Sequence, residues 1–317
     1  RDCWKTNAVI CRPPKNRKPK AEEISGCRPW LFRTIEKLKP HVIVLLGSTA
    51  LESLLSPIWL GDIGSMERWV GWTIPCQAPI NCWVVPTWHP SFLLRMNQKV
   101  LDLLFVEHLK LAFGLLDSPA PTVRAYSREI RTERSPTAAA KALRRMSRDP
   151  ERPIAFDYET TALKPETPNC RIFSCAASNG EETIAFPWLG EAKQTMIQIL
   201  QSDIPKIGAN IQFEDRWSRL HAGCPVRNWA WDTFLAAHVL DNRKAIAGLK
   251  FQAFVRFGVP IYDQSVEPFI NSDPKTKLNR LADAELKDVL LYNGMDARIT
   301  FDLAELQQRE LDAAPRN

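Results

Sequence analysis

An apolar run that closes on two carboxylates constrains this chain more than any other stretch. Residues 153–161, PIAFDYETT, read as a strand carrying Asp157 and Glu159. Side chains two apart on a strand point to the same face of the sheet. Like charges that close repel one another, and each is costly to remove from water. Such a pair is tolerated where a cation is bound between its members, and a metal ion is the obvious candidate.

The rest of the chain implies α/β architecture in two parts. Its 317 residues exceed what a single core usually supports, so two domains are expected. The proline-rich DSPAPT at 117–122 is the break, giving a first domain at 1–117, a linker at 118–123 and a second domain at 124–317. In the first, HVIVLLG (41–47) followed by STALESLL reads as a buried parallel strand, a tight turn and a helix. CWVVPTWHP (82–90) reads as a second strand, and SFLLRM onward as one helix to about residue 116. In the second, VRAYS is expected as a strand and SPTAAAKALRRMSRD as a helix with a Ser-Pro start. PIAFDYETT, CRIFSCAAS and ETIAFPW then form an antiparallel set, EAKQTMIQILQS a helix and PKIGAN a short strand. From FEDRWSRL onward the pattern is mostly helical.

Charge and cysteine usage narrow the function classes. Residues 1–40 carry a net charge of +7 and residues 121–156 a net of +5, against −4 for 157–317. Basic segments beside an acidic domain suit an anionic polymer held next to a carboxylate site, although solvated surface charge gives the same pattern. Eight scattered cysteines in a large apolar-rich chain argue for a reducing, cytoplasmic setting rather than a disulfide scaffold. No apolar run reaches the length of a membrane span, and no signal peptide is visible. The chain starts at Arg1 rather than Met, which is expected of a fragment or a processed form.

Three acidic stations follow in order through the second half. FDYETT holds Asp157 and Glu159, GANIQFEDRW holds Asn210, Glu214 and Asp215, and LLYNGMDARITFDL holds Tyr292 and Asp296, four apart on a helix and therefore on one face. Four converging carboxylates have the hard oxygen donors for two divalent cations, which can flank an in-line phosphodiester displacement. A neighbouring tyrosine can orient the attacking water.

These stretches resemble the three motifs of the DEDD-type 3′–5′ proofreading exonucleases, and Tyr-x-x-x-Asp matches the tyrosine subclass found in family A DNA polymerases. The resemblance covers about residues 122–312 and includes AWDTFLAAHVLDNRKAIAGLKFQAF. It implies a ribonuclease-H-like fold, two Mg²⁺ or Mn²⁺ ions, and stepwise removal of nucleotides from single-stranded DNA 3′ ends. In that scheme Asp157, Glu214 and Asp296 hold the ion that activates water, Tyr292 positions the water, and Asp157 also holds the second ion. Glu159 binds the first ion and the terminal 3′-OH, and Asn210 belongs to the nucleic-acid contact. One departure stands out: the second motif usually has Asp directly after the aromatic, where this chain has Glu214, with Asp215 one later. Glu214 is the preferred ligand, and Asp215 serves if the loop is shifted.

TNAVICRPPKNRKPKAEEISGC (6–27), followed by HVIVLLG and VVPTWHPSFLLR, resembles the family 4 uracil-DNA glycosylases over about residues 3–110. The resemblance implies a [4Fe–4S] cluster with Cys11 and Cys27 among its ligands, and an active-site loop at His89, Pro90 and Ser91 whose His bonds the uracil O2. Arg95 falls in the segment that wedges into DNA, and Arg17 in the basic loop near the cluster. The family's water-activating motif and two further cysteine ligands have no counterpart here. A cluster is therefore expected only if ligands outside this sequence are present, and glycosylase activity is not expected of this chain. The combined reading is a partial glycosylase-like domain followed by a 3′–5′ exonuclease, from a phage-type DNA polymerase with its polymerase domain C-terminal. A catalytically inactive DNA-binding platform and a 3′–5′ exoribonuclease are the alternatives.

Overall fold

The computed structural model describes residues 3–313; Arg1, Asp2 and residues 314–317, the outer ends of the two expected domains, lie outside the described residues. In chain order the elements are α1 (Ala21–Leu38), β1 (Val42–Leu46), α2 (Ser48–Trp59), β2 (Ile74–Cys76), β3 (Cys82–Thr87), α3 (Pro90–Met96) and α4 (Lys99–Gly114). There follow β4 (Ile130–Thr132), α5 (Pro136–Met146), β5 (Ile154–Thr160), β6 (Ile172–Ser178), β7 (Thr183–Pro187), α6 (Gly190–Gln201), β8 (Lys206–Gly208) and α7 (Ile211–Trp217). The chain continues with β9 (Trp229–Asp232), α8 (Thr233–Leu240), α9 (Leu249–Phe257), α10 (Glu267–Ile270) and α11 (Leu286–Ala313). It divides into two compact units. One comprises residues up to Arg124 together with 243–245 and 250–261, and the other comprises 125–242, 246–249 and everything from Tyr262 onward.

In the first unit β1 and β3 pair in parallel, as their continuous apolar runs imply. β2, which the sequence reading lacks, adds antiparallel to the far side of β3 to give the order β1-β3-β2. The expected single helix after His89 is two, α3 and α4, because Asn97 takes a left-handed φ of 48° and caps α3. Asparagine tolerates that conformation better than other non-glycine residues. Aromatic rings fill the core, with Trp69 and Phe251 centroids 5.0 Å apart and Trp59 and Phe254 also 5.0 Å apart. Residues 118–123 are tied into this unit: the His41 ring donates to the Ser118 carbonyl at 2.7 Å, Trp83 to Pro119 at 3.0 Å and Gln77 to Val123 at 2.7 Å. Gly258 permits a close approach, since a Cβ there would lie 2.1 Å from the Pro75 carbonyl oxygen.

The second unit is a six-stranded mixed sheet in the order β4-β7-β6-β5-β8-β9. β5, β6 and β7 form the expected antiparallel set, and β4, β8 and β9 attach in parallel. VRAYS is not a strand. Tyr126–Arg128 is a short helical turn whose buried Tyr126 hydroxyl donates to Asp302, and the ladder begins at Ile130. β9 interrupts the stretch expected to be mostly helical. α5 begins as its sequence dictates, with Ser135 Oγ accepting from the Ala138 amide at 3.3 Å and Pro136 in the first turn.

The two faces of this sheet differ. On one, Phe156, Tyr158, Cys175 and Phe186 join Leu143 and Met146 of α5 and Met196 and Leu200 of α6 in the main core. On the other, Ala155 meets Phe301 and Ala304, and Ala176 and Ala185 meet Leu290 and Ala297, so small strand residues let α11 lie close. Gly294 allows that approach, because a Cβ there would come within 2.2 Å of Ile130 Cγ2. Period-two alternation puts Asp157 and Glu159 on the α11 face. Among the described residues, no helix is long and apolar enough to cross a membrane.

Candidate metal centre

β5 delivers Asp157 and Glu159, and α11 delivers Asp296. A carboxylate oxygen from each lies within 4.8 Å of the others. Asp157 and Glu159 are half-buried and Asp296 is buried. The first and third acidic stations of the sequence therefore meet across the interface of sheet and helix. Tyr292, one turn before Asp296, is buried beside them; burial first, then the charges of Asp296 and Glu159, push its phenol well above the ordinary range.

The second station splits in two. Glu214 is buried on α7, and burial together with the Asp157 charge raises its carboxyl well above the usual carboxylate range. Its Oε2 has no hydrogen-bond partner among the described residues. Asp215 is engaged elsewhere: it accepts from Arg219 Nε at 2.6 Å and from the Val226 amide at 3.1 Å. It lies outside the carboxylate trio, as Glu214 does, and the two face different sides because they are adjacent on α7. Asn210 has an exposed side chain and a left-handed φ of 69°, and its contribution is through the backbone. Asp232 accepts from the amides of Asn210 at 3.0 Å and Ile211 at 3.1 Å, and from Phe234 and Leu235 at the start of α8. One carboxylate thus fixes the start of the helix that carries Glu214.

Two residues of the site went unread in the sequence. Asn293, fully buried next to Tyr292, donates to Asp157 Oδ2 at 2.7 Å and accepts from Ser174 Oγ at 2.8 Å. Tyr262 donates its hydroxyl to Asp296 Oδ1. The Asn293 position was available from its i+1 place between Tyr292 and Gly294, but its partner lies 136 residues away and only the fold reveals it. Three carboxylates crowded within 4.8 Å, and a buried Glu214 oxygen without a donor that faces the charge of Asp157, are what a hard divalent cation satisfies, so these residues fit Mg²⁺ or Mn²⁺.

The remaining expected residues lie in the first unit. His89 is exposed and caps α3, its Nδ1 accepting from the Ser91 amide at 3.1 Å. Arg95 is exposed in the last turn of α3, and Arg17 is paired with Glu23 at 2.6 Å. Cys11 and Cys27 line one hollow with Arg12, Pro13 and Glu23. Two thiols there are half the thiolate set of a [4Fe–4S] cluster, so the described residues do not hold one by themselves.

Comparison with known proteins agrees with this geometry. Residues 127–312 match the family described as 3′–5′ exonuclease. The chain belongs to that family. Residues 1–113 match the uracil DNA glycosylase superfamily and form a type-4-like domain ahead of the exonuclease. The type-4 uracil-DNA glycosylase of Saccharolobus solfataricus is 33% identical over 121 residues, which is 37% of this chain and 54% of that protein. DNA polymerase I of Chloroflexus aurantiacus is 28% identical over 193 residues, 57% of this chain and 19% of that protein. The chain therefore spans about half the length of the glycosylase and less of the polymerase. Among solved structures, Escherichia coli RNase D superposes with a TM-score of 0.42 at 15% identity, over 58% of this chain and 45% of that one.

Proposed function

We propose that this exonuclease removes nucleotides from single-stranded DNA 3′ ends, in the manner of proofreading, with the glycosylase-like domain serving as a DNA-binding module. The observation that carries the proposal is the meeting of Asp157, Glu159 and Asp296 within 4.8 Å, with buried Glu214 facing the charge of Asp157. Asp157, Glu159, Glu214 and Asp296 would hold two Mg²⁺ or Mn²⁺ ions; bound there, the ions supply activation of water and stabilisation of the departing 3′ oxygen. Tyr292 orients the water, and its raised phenol keeps its proton, which makes it a hydrogen-bonding group rather than a base. Glu159 accepts from the terminal 3′-OH. Asn210 and the His89 loop contribute nucleic-acid contacts by hydrogen bonding, and Arg95 and Arg17 by charge.

DNA is the assigned substrate because the chain's relatives in both halves are named for DNA, a DNA polymerase I and uracil-DNA glycosylases. A polymerase domain following in the full-length protein accords with the small share of DNA polymerase I that is matched. The eight cysteines scattered through a large apolar-rich chain support a reducing, cytoplasmic setting. A cluster at Cys11 and Cys27 requires ligands from outside this sequence, and glycosylase activity is not assigned.

The test is degradation of 5′-labelled single-stranded DNA and RNA of one sequence with Mg²⁺ or Mn²⁺, beside Asp157→Ala. Stepwise shortening of DNA that needs metal and Asp157 supports the proposal. Preferential shortening of RNA moves the substrate to RNA, and no cleavage from a folded protein leaves a binding platform.

A further inference from the structure

Each of two carboxylates in the trio is gripped by a neutral donor from elsewhere in the fold. Asn293 grips Asp157. The other grip is Tyr262, in the irregular segment before α10, whose hydroxyl donates to Asp296 Oδ1. Its ring is packed against the small cluster of Val266, Leu281, Val289 and Tyr292. The Tyr262 and Tyr292 centroids are 5.9 Å apart with planes tilted by 44°. Two tyrosines therefore flank one carboxylate, one from its own helix and one from a separate segment.

We infer that Tyr262 is the positioning residue for Asp296: its hydrogen bond fixes the rotation of that carboxylate so that it presents one oxygen to the divalent ion. The inference rests on the metal-dependent reading of the site. A carboxylate on a helix has a broad terminal torsion, and a donor held by packing on a different segment narrows it. The hydroxyl is committed to Asp296, which separates the roles of the two rings: Tyr262 acts through the ligand, and Tyr292 faces the reaction. Outer donors to metal ligands typically change metal affinity or activity about 10–100-fold when removed.

The test is Mn²⁺ binding to the whole chain, by titration calorimetry, for wild type, Tyr262→Phe, Tyr262→His and Tyr292→Phe, with the melting temperature of each metal-free protein as a folding control. Tyr262→Phe keeps the ring in its cluster and should weaken Mn²⁺ binding about 10–100-fold. Tyr262→His keeps a ring and restores a donor, and should recover most of the affinity. Tyr292→Phe should bind Mn²⁺ as wild type does while degrading DNA more slowly. A second readout needs no Phe variant: in wild type carrying 3-fluorotyrosine, Mg²⁺ should shift the Tyr262 resonance, identified by its absence from the His variant. Unchanged affinity in Tyr262→Phe, equal weakening in Phe and His, or an unshifted resonance overturns the role of Tyr262 and leaves the metal site standing. Failure of wild type to bind Mn²⁺ overturns both.

Discussion

Replacing Glu214 by Gln should make the metal-free protein more stable while it removes nuclease activity. Glu214 is 2% exposed, its Oε2 lacks a partner among the described residues, and the charge of Asp157 faces it. An unsatisfied buried polar group costs about 1–3 kcal/mol, and a charged one more. Glutamine has the same shape, carries no charge and offers an N–H₂ donor to a neighbourhood of carboxylates. The expected gain is therefore about 1–3 kcal/mol. In a unit of this size each kcal/mol moves the midpoint about 2–4 °C, so the metal-free melting temperature should rise by about 2–12 °C. Acidity gives an independent check. The Glu214 carboxyl is raised in the folded state from its ordinary 4.5, so folding favours its protonated form. Its contribution to stability is fully present below about pH 4.5 and is lost as pH rises through the folded value. Wild type without metal should thus lose stability from Glu214 as the solution is made more alkaline above that point, and Glu214→Gln should flatten that part of the curve. Calorimetric melts of both proteins in chelator, across pH 4 to 8 in ~1 unit steps, measure it. A Glu214→Gln protein that is less stable than wild type at neutral pH without metal would refute the reasoning, since it would mean that the carboxylate is satisfied.

Asp215→Asn should retain metal binding and degradation while losing roughly 1–2 kcal/mol of stability through the Arg219 and Val226 contacts, checked by denaturant melts beside Mn²⁺ titration. Asp232→Ala unties the amides of Asn210 and Ile211 and uncaps α8. It should cost about 2–4 kcal/mol and lower nuclease activity even in folded protein, read from melting and from initial rates at saturating metal. Gly258→Ala sets a methyl against the Pro75 carbonyl at a position with φ of +70°, and should destabilise the first unit by several kcal/mol with Trp fluorescence as the probe.

The strands with strong apolar signatures were legible: β1, β3, β5, β6 and β7 all lie where their runs fall. The acidic stations were legible too, because Asp157 and Glu159 share a strand face and Tyr292 and Asp296 a helix face, and both periodicities are local. Choosing Glu214 over Asp215 was open in the sequence, since neighbouring residues on a seven-residue helix give no amphipathic pattern to orient them. β9 was missed because Trp-Ala-Trp-Asp at a sheet edge is only four residues long and has no long apolar run. Tyr262 was missed for a different reason: it sits in a segment without period, and its meaning comes from a partner 34 residues on.

The membership of residues 250–261 in the first unit has a practical consequence for anyone who wants to take this protein apart. Phe251 and Phe254 supply rings to the Trp59 and Trp69 core, and the Ile261 amide donates to the Trp59 carbonyl at 3.3 Å. A clone ending near Arg124 would translate a domain with Phe251 and Phe254, two of those four rings, encoded more than a hundred codons downstream. Its product should be insoluble or sticky, and the complementary clone would be left with two stray phenylalanines. Modular exchange of the glycosylase-like half would have to carry that downstream helix with it.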